Sequence, residues 1–360
     1  MESSKGTDDL PPSLAAAAAA SFPLLVYDHG EPPDNSQTVL SVADGSMQTL
    51  ELPEMRNLSL MCLETPQGLV LMVDTASLQC SLWNPQTGDK MALPAMDEEP
   101  PEHCRCIIAD AGTFPPTPDR DPDSLVLVYD LTEPEVLICL IRGGAAWVRQ
   151  SYDMPLRSPR ERTNREGSED PPTERAITCI AALKGILFFL KSRRVVGAFC
   201  SFASDPQPCL ELATMEACLP TIARGAAPQV VTLPFLLESD GELFLVCLFY
   251  LGCGLERVEE VGAYMMDFTK KEWCKVTDIG DRAFLLGPSS FAASCSASEH
   301  GLKKGCVYFA YDFLGNSNEF HIFDLKEGTR ELAGPTQDIP ALSRKPFWLV
   351  PVQPGVKLDC

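Results

Sequence analysis

One short apolar run recurs six times along the chain, and no other feature restricts the fold as tightly. It reads FPLLVYD at 22–28, GLVLMVD at 68–74, SLVLVYD at 124–130, GILFFLK at 185–191, GELFLVC at 241–247 and GCVYFAYD at 305–312. The starts lie 46, 56, 61, 56 and 64 residues apart. Runs this short and this rich in Val, Leu, Phe and Tyr are strands, and their lack of clean alternation predicts that both faces are covered. A second series keeps step with the first. SLWNPQTGDKMALP at 81–94 reads as strand, tight turn, strand, and its turn is matched around Asp44, Gly143, Asp205, Asp267 and Asp324. Each turn falls 16 to 26 residues after the start of its own apolar run. Two independent features sharing one period define a true repeat.

Four strands can be placed within a unit. In the fifth they are VVTLPFLLES, GELFLVCLFY, VGAYMMDF and EWCKVTDI. Four antiparallel strands repeated six times around an axis make an all-β chain folded as a single β-propeller of six four-stranded blades. The first unit lacks a strand before FPLLVYD, while KPFWLVP at 345–351 is an apolar strand with no unit of its own. The expectation is that this last strand pairs into the first blade and closes the ring, removing the open edge. The propeller is assigned to 22–351, with an acidic and polyalanine tail predicted disordered at 1–21 and a short tail at 352–360. DAGTFPPTPDRDPD at 110–123 and SPRERTNREGSEDPPTER at 158–175 read as surface insertions, the second mobile.

Charge narrows the partners. Fifty acidic against 29 basic residues give a formal net charge of -21, which opposes nonspecific binding to nucleic acid or to an anionic membrane. No apolar stretch reaches about 18 residues free of charge and turn formers, so no membrane span is expected. Fifteen cysteines, odd in number and without a CxxC pair, read as free thiols packed as small hydrophobes in a reducing compartment. LAAAAAASFPLLV resembles a signal-peptide core, but the residues before it carry Glu2, Asp8 and Asp9 against Lys5 alone. The expected location is the cytoplasm, the nucleus or both.

Chemistry-bearing constellations are sparse. HCRC at 103–106 offers soft ligands without the second pair that a zinc site needs, and reads as a strand with Cys104 and Cys106 on one face. His29, His103, His300 and His321 lack a nucleophile elbow, and Ser298, Glu299 and His300 are consecutive turn residues rather than a convergent triad. No phosphate-cradling glycine loop is present; GCGLE at 252–256 is too short to count. Asp74, Asp130 and Asp312 end equivalent strands, where they could line one rim as metal ligands or accept hydrogen bonds from turn amides. Arg157, Arg160, Arg162 and Arg165 could engage an acidic or phosphorylated partner, and Ser158-Pro159 beside them is a plausible kinase target. Glu161, Glu166, Glu169 and Asp170 dilute that charge, so the segment equally suits a solvated linker.

PFLLESDGELFLV, followed by VGAYMMDFTKKEWCKVTDIGDRAFLLGPSSFAAS and GLKKGCVYFAYD, resembles the plant KIB-type β-propeller family, relatives of F-box and kelch-like proteins long treated as a domain of unknown function. The matching motifs are Glu238 to Val246, Asp267 to Trp273, Gly280 to Gly287 and Gly301 to Asp312, with Lys304-Gly305 where the family often has Gly-Asn. The resemblance implies a propeller that holds a protein substrate. In F-box members an N-terminal three-helix F-box docks a cullin-type ubiquitin ligase, and none is recognised in this sequence. Asp281 and Arg282 are the most family-distinctive charged pair. They suit either a binding face or an ion pair that holds blades five and six in register.

The function expected from the sequence is a noncatalytic protein-interaction propeller without a cofactor, linked to ubiquitin-ligase components only indirectly. Asp281, Arg282, Arg157, Arg160 and Arg162 are its candidate partner-binding residues. The alternative is a propeller enzyme or small-ligand binder using strand-end aspartates around the central channel.

Overall fold

The computed structural model describes residues 22–29, 36–50, 60–111, 123–142, 144–152, 176–202, 209–220, 230–251, 258–310, 320–334 and 346–353. Blade one contains β1 (Leu24–His29), β2 (Ser36–Ser41) and β3 (Met47–Leu50) together with the last strand, β25 (Phe347–Leu349). Blade two is β4 (Leu60–Glu64), β5 (Val70–Asp74), β6 (Cys80–Trp83) and β7 (Lys90–Leu93). Blade three is β8 (Cys104–Ala111), β9 (Asp123–Asp130), β10 (Glu135–Leu140) and β11 (Val148–Ser151). Blade four is β12 (Ile180–Leu183), β13 (Ile186–Ser192), β14 (Val195–Phe202) and β15 (Cys209–Glu216). Blade five is β16 (Val230–Ser239), β17 (Glu242–Leu251), β18 (Val258–Asp267) and β19 (Glu272–Val276). Each of these sheets is a four-stranded antiparallel meander, and the six apolar runs of the sequence fall on the second strands and their counterpart in blade six.

Blade six carries the expected strands and one more. Its order is β21-β20-β22-β23-β24, from β20 (Arg282–Leu286), β21 (Ala292–Ser296), β22 (Cys306–Phe309), β23 (Phe320–Asp324) and β24 (Thr329–Gly334). β20 lies parallel to β22, pairing Ala283 with Cys306 and Leu286 with Phe309. The chain therefore enters this blade one place out from the axis, turns at Pro288–Ser290, and only then lays β21 along the channel.

The second strands explain why the repeat is apolar throughout. Leu71 and Val73 of β5 point into the layer shared with blade three, while Val70 and Met72 enter the layer shared with blade one. In β17, Phe244, Val246, Leu248 and Tyr250 face blade six, and Leu243, Leu245, Cys247 and Phe249 face blade four. Six such apolar layers lie between successive blades and run without a break around the ring. Closure is made as expected: β25 pairs antiparallel with β1, Leu349 opposite Leu24 and Phe347 opposite Val26. Trp348 Nε1 also donates to the Leu286 carbonyl at 2.9 Å, stitching the closing strand to blade six.

The turn series has a physical cause as well. Asp44, Asn84, Asp267 and Asp324 each accept a hydrogen bond on Oδ1 from the backbone N–H two residues on, forming Asx turns between third and fourth strands. The hairpin at 81–94 is one instance of that rule.

Candidate functional site

The alternation of strands sorts the turns onto two faces. First-to-second and third-to-fourth turns lie on one, called here the hairpin face. Second-to-third loops and the connections between blades lie on the other, the connection face, except that the connection from blade five to blade six delivers the chain to β20 on the hairpin face.

Asp281 and Arg282 lie on the hairpin face, at the joint between blades five and six. The tight β16–β17 turn places Asp240 and Gly241 at φ 51° and 76°, a primed turn that presents Asp240 and Glu242 on one edge. Arg282 Nε donates to Asp240 at 2.8 Å and Nη2 donates to Glu242 at 2.9 Å, with the guanidinium 5.2 Å from the Phe244 ring centroid. Asp281 accepts from Ser296 Oγ at 2.9 Å and from Ser298 Oγ, and pairs with Lys304 Nζ at 2.9 Å. These donors, Ser298 first, hold its carboxyl well below the usual range. The ESDGE and GDR segments thus meet as one inter-blade clasp. Arg157, Arg160 and Arg162, the other candidates from the sequence, lie outside the described residues.

Among the described residues the channel is narrow at its centre. Between Gln67, Ile107, Ala181, Leu237, Ala293 and Gln353 the remaining space is about 10 Å³, near the least that holds one water. On the hairpin face the chain beyond β25 crosses to blade two beside it. Val352 N donates to Gln86 Oε1 at 2.8 Å and Gln353 N to the Gln67 carbonyl at 3.1 Å. The segment lies so close to the β4–β5 turn that a Cβ on Gly68 would sit 2.6 Å from the Pro351 oxygen. Burial lifts the Glu238 carboxyl, which also borders the channel, above its ordinary range, and the Gly241 N–H at 2.7 Å offsets only part of that.

The connection face is open. A recess of about 440 Å³ lies there, with walls from blades one, two, three and six. Leu63, Leu131, Pro288 and Phe347 supply apolar wall, and Glu102, His103 and Thr132 stand at its polar side. Its floor is an ion pair between Arg105 on β8 and Glu64 on β4, their side chains 15% and 8% exposed. Arg105 Nη2 donates as well to the Pro288 carbonyl at 2.9 Å, joining blade three to blade six across the ring, while its buried Nε has no hydrogen-bond partner among the described residues. Ser289 and Ser290, next to that carbonyl, hold φ of 53° and 62°, the left-handed region that bulkier backbones avoid.

Sequence reasoning weighed HCRC for its cysteines and passed over the arginine between them. Cys104 and Cys106 are buried on one side of β8, as expected, in the layer shared with blade two. Burial pushes the Cys104 thiol up to about 12 and lifts the Cys106 thiol well above its ordinary value, so both rest as thiols at neutral pH. Alternation places Arg105 on the opposite side, toward the recess, and that was the available signal. The aspartates at strand ends serve turns. Asp74 accepts from Ala76 N at 3.0 Å, and Asp130 from the Thr132 N–H and hydroxyl at 2.7 Å each; Asp312 lies outside the described residues. His29 bonds Thr38 and Ser36, His321 stacks on Phe309 at 5.2 Å, and Ser298 turns to Asp281 rather than to His300. Among the described residues no group of three or more His, Cys, Asp or Glu is placed to hold a metal, and no helix is long and apolar enough to cross a membrane.

The sequence model of the family described as the KIB1-4 β-propeller matches residues 39–326. No curated protein matches the chain. Among solved structures, TolB from Acinetobacter baumannii is 14% identical with a TM-score of 0.37, over 91% of this chain and 67% of its own. A catalytically inactive virginiamycin B lyase from Staphylococcus aureus is 12% identical with a TM-score of 0.32, over 86% and 84%. Similarity this distant carries no functional argument.

Proposed function

Since the chain belongs to the KIB1-4 β-propeller family, we propose that it is a noncatalytic platform that grips a protein partner on its connection face. The observation that carries this reading is the contrast between the two ends of the channel. At the hairpin end Val352 and Gln353 are tied to blade two beside a space of only about 10 Å³, while the connection end opens into a recess of about 440 Å³, within the range of pockets that hold a ligand or an inserted side chain. A platform needs a rigid, shaped surface, and a floor that ties three blades together through Arg105 supplies one. The resemblance to the propellers of plant F-box proteins supports a finer reading, in which the partner is a protein held for a ubiquitin ligase. The alternative that uses strand-end aspartates is disfavoured, because Asp74 and Asp130 already accept hydrogen bonds from their own turns.

Site-specific photocrosslinking tests this. A benzophenone residue replaces Thr132 at the recess, or Thr87 at an exposed turn of the hairpin face, in the full chain expressed in its source tissue. Protein adducts from position 132 and few from position 87 are expected. Adducts from 87 alone, or none from 132, would overturn the reading.

A further inference from the structure

The recess invites the question of what chemistry it accepts, and we infer that it takes the side chain of a lysine or arginine presented by the partner. This deepens the platform reading and rests on it. Arg105 does not make the site cationic, because Glu64 beneath it cancels its charge within the same floor. What remains is acidic. Glu102 is exposed at the edge of the recess, and Asp97, Glu99 and Glu133 stand on connections of the same face with no ion pair among the described residues. Glu98, the fourth acid of that connection, is already paired with Arg149 at 2.8 Å. The chain as a whole carries a net charge of -21, so the far field points the same way.

The walls match the rest of such a side chain. Leu63, Leu131, Pro288 and Phe347 form an apolar sleeve suited to a methylene stem, and the carboxylate lies at the rim where a charged head stays hydrated. An anionic guest would meet Glu102, and the cation that lines the recess among the described residues, Arg105, is already paired with Glu64. An apolar guest would leave Glu102 and His103 idle and gain nothing from the field. A competing occupant comes from the chain itself: Arg344 and Lys345 precede Pro346 in sequence, outside the described residues, and Pro346 borders the recess.

The test uses the full chain and labelled hexapeptide libraries whose central residue is fixed as Lys, Arg, norleucine or Glu, read by fluorescence anisotropy. The Lys and Arg libraries should bind about tenfold more tightly than norleucine, with the Glu library weakest, and binding should weaken as ionic strength rises from about 0.05 M to about 0.5 M. Glu102→Lys changes an exposed side chain and should remove the cation preference, while Glu102→Asp should keep it. Equal binding of the norleucine and Lys libraries, or an unchanged preference in Glu102→Lys, would overturn the inference. So would an Arg344→Ala/Lys345→Ala chain that binds the Lys library several-fold more tightly, because the recess would then be filled from within. If adducts still form at position 132 while the libraries show no cation preference, the platform stands and only the choice of guest fails.

Discussion

Replacing Arg105 by methionine gives the sharpest check on how the recess is built. The side chain of Glu64 is only 8% exposed, and its described partner is Arg105, itself 15% exposed. Removing one member of a pair this buried strands the other without its counter-charge, which typically costs about 3–5 kcal/mol. The Pro288 carbonyl loses one of its two donors in the same step, keeping the Phe291 N–H at 3.2 Å, and the two losses share one guanidinium and do not add in full. Taking about 3 kcal/mol and a urea m-value of about 3 kcal/mol/M, the unfolding midpoint should fall by about 1 M. Tryptophan fluorescence follows this directly, since Trp83, Trp147, Trp273 and Trp348 are all buried in apolar layers between blades. The double variant Glu64→Leu/Arg105→Met removes the stranded charge along with its partner. It should recover most of the loss, because buried pairs exchange for apolar residues at little net cost. A single variant within about 0.2 M of the parent midpoint would refute the reasoning, as would a double variant no better than the single.

Three further outcomes follow from other parts of the ring. Gly68→Ala combines a φ of +90° with a Cβ 2.6 Å from the backbone of Pro351 and Val352, and should destabilise by about 2–4 kcal/mol. Gly88→Ala, at φ +82° with nothing within 4 Å, should cost only about 1 kcal/mol, and equal shifts in thermal melts would refute the close approach. Arg282→Lys breaks the forked contact to Asp240 and Glu242 and the stacking on Phe244; with Asp240 73% exposed, the loss should stay near 1 kcal/mol and shrink with added salt. Asp281 is held below its ordinary value of 3.8 in the folded chain, so its contribution is present above 3.8 and disappears as pH falls through the lower folded value. The stability gap between the parent and Asp281→Asn, measured by denaturation across pH 7 to about 2, should therefore close in the acid range; a gap independent of pH would sink the assignment.

Much of the ring is legible in the sequence because two local rules recur around it, the second seen in blades one, two, five and six. A second strand buried on both sides must be apolar at every position, as Val70 to Val73 are, and a third-to-fourth turn closed by an Asx side chain favours Asp or Asn at one place. The fifth strand of blade six follows no local rule. RAFLL reads like any first strand, and only the tertiary position of the small-residue strand AASCS, nearer the axis, pushes it outward. The recess was out of reach for a related reason. Arg105 meets Glu64 from 41 residues earlier and Pro288 from 183 residues later, and no periodicity links positions on three different blades.

The inter-blade clasp and the recess occupy opposite faces, and this limits what the clasp can say about function. Glu238 to Glu242, Asp281 and Arg282 converge on the hairpin face, where they hold blade five against blade six. Such contacts must keep their geometry whatever the ring binds, because a gap between two blades would expose the apolar layer of Phe244, Phe284 and Phe309 to water. The connection face is under no such constraint. Its loops leave the sheets and can change length without disturbing a register, which is one source of the unequal spacing of the repeat, 46 to 64 residues. Asp281 and Arg282 therefore describe a joint of the ring. What the ring grips has to be read from the walls and charges on the other side.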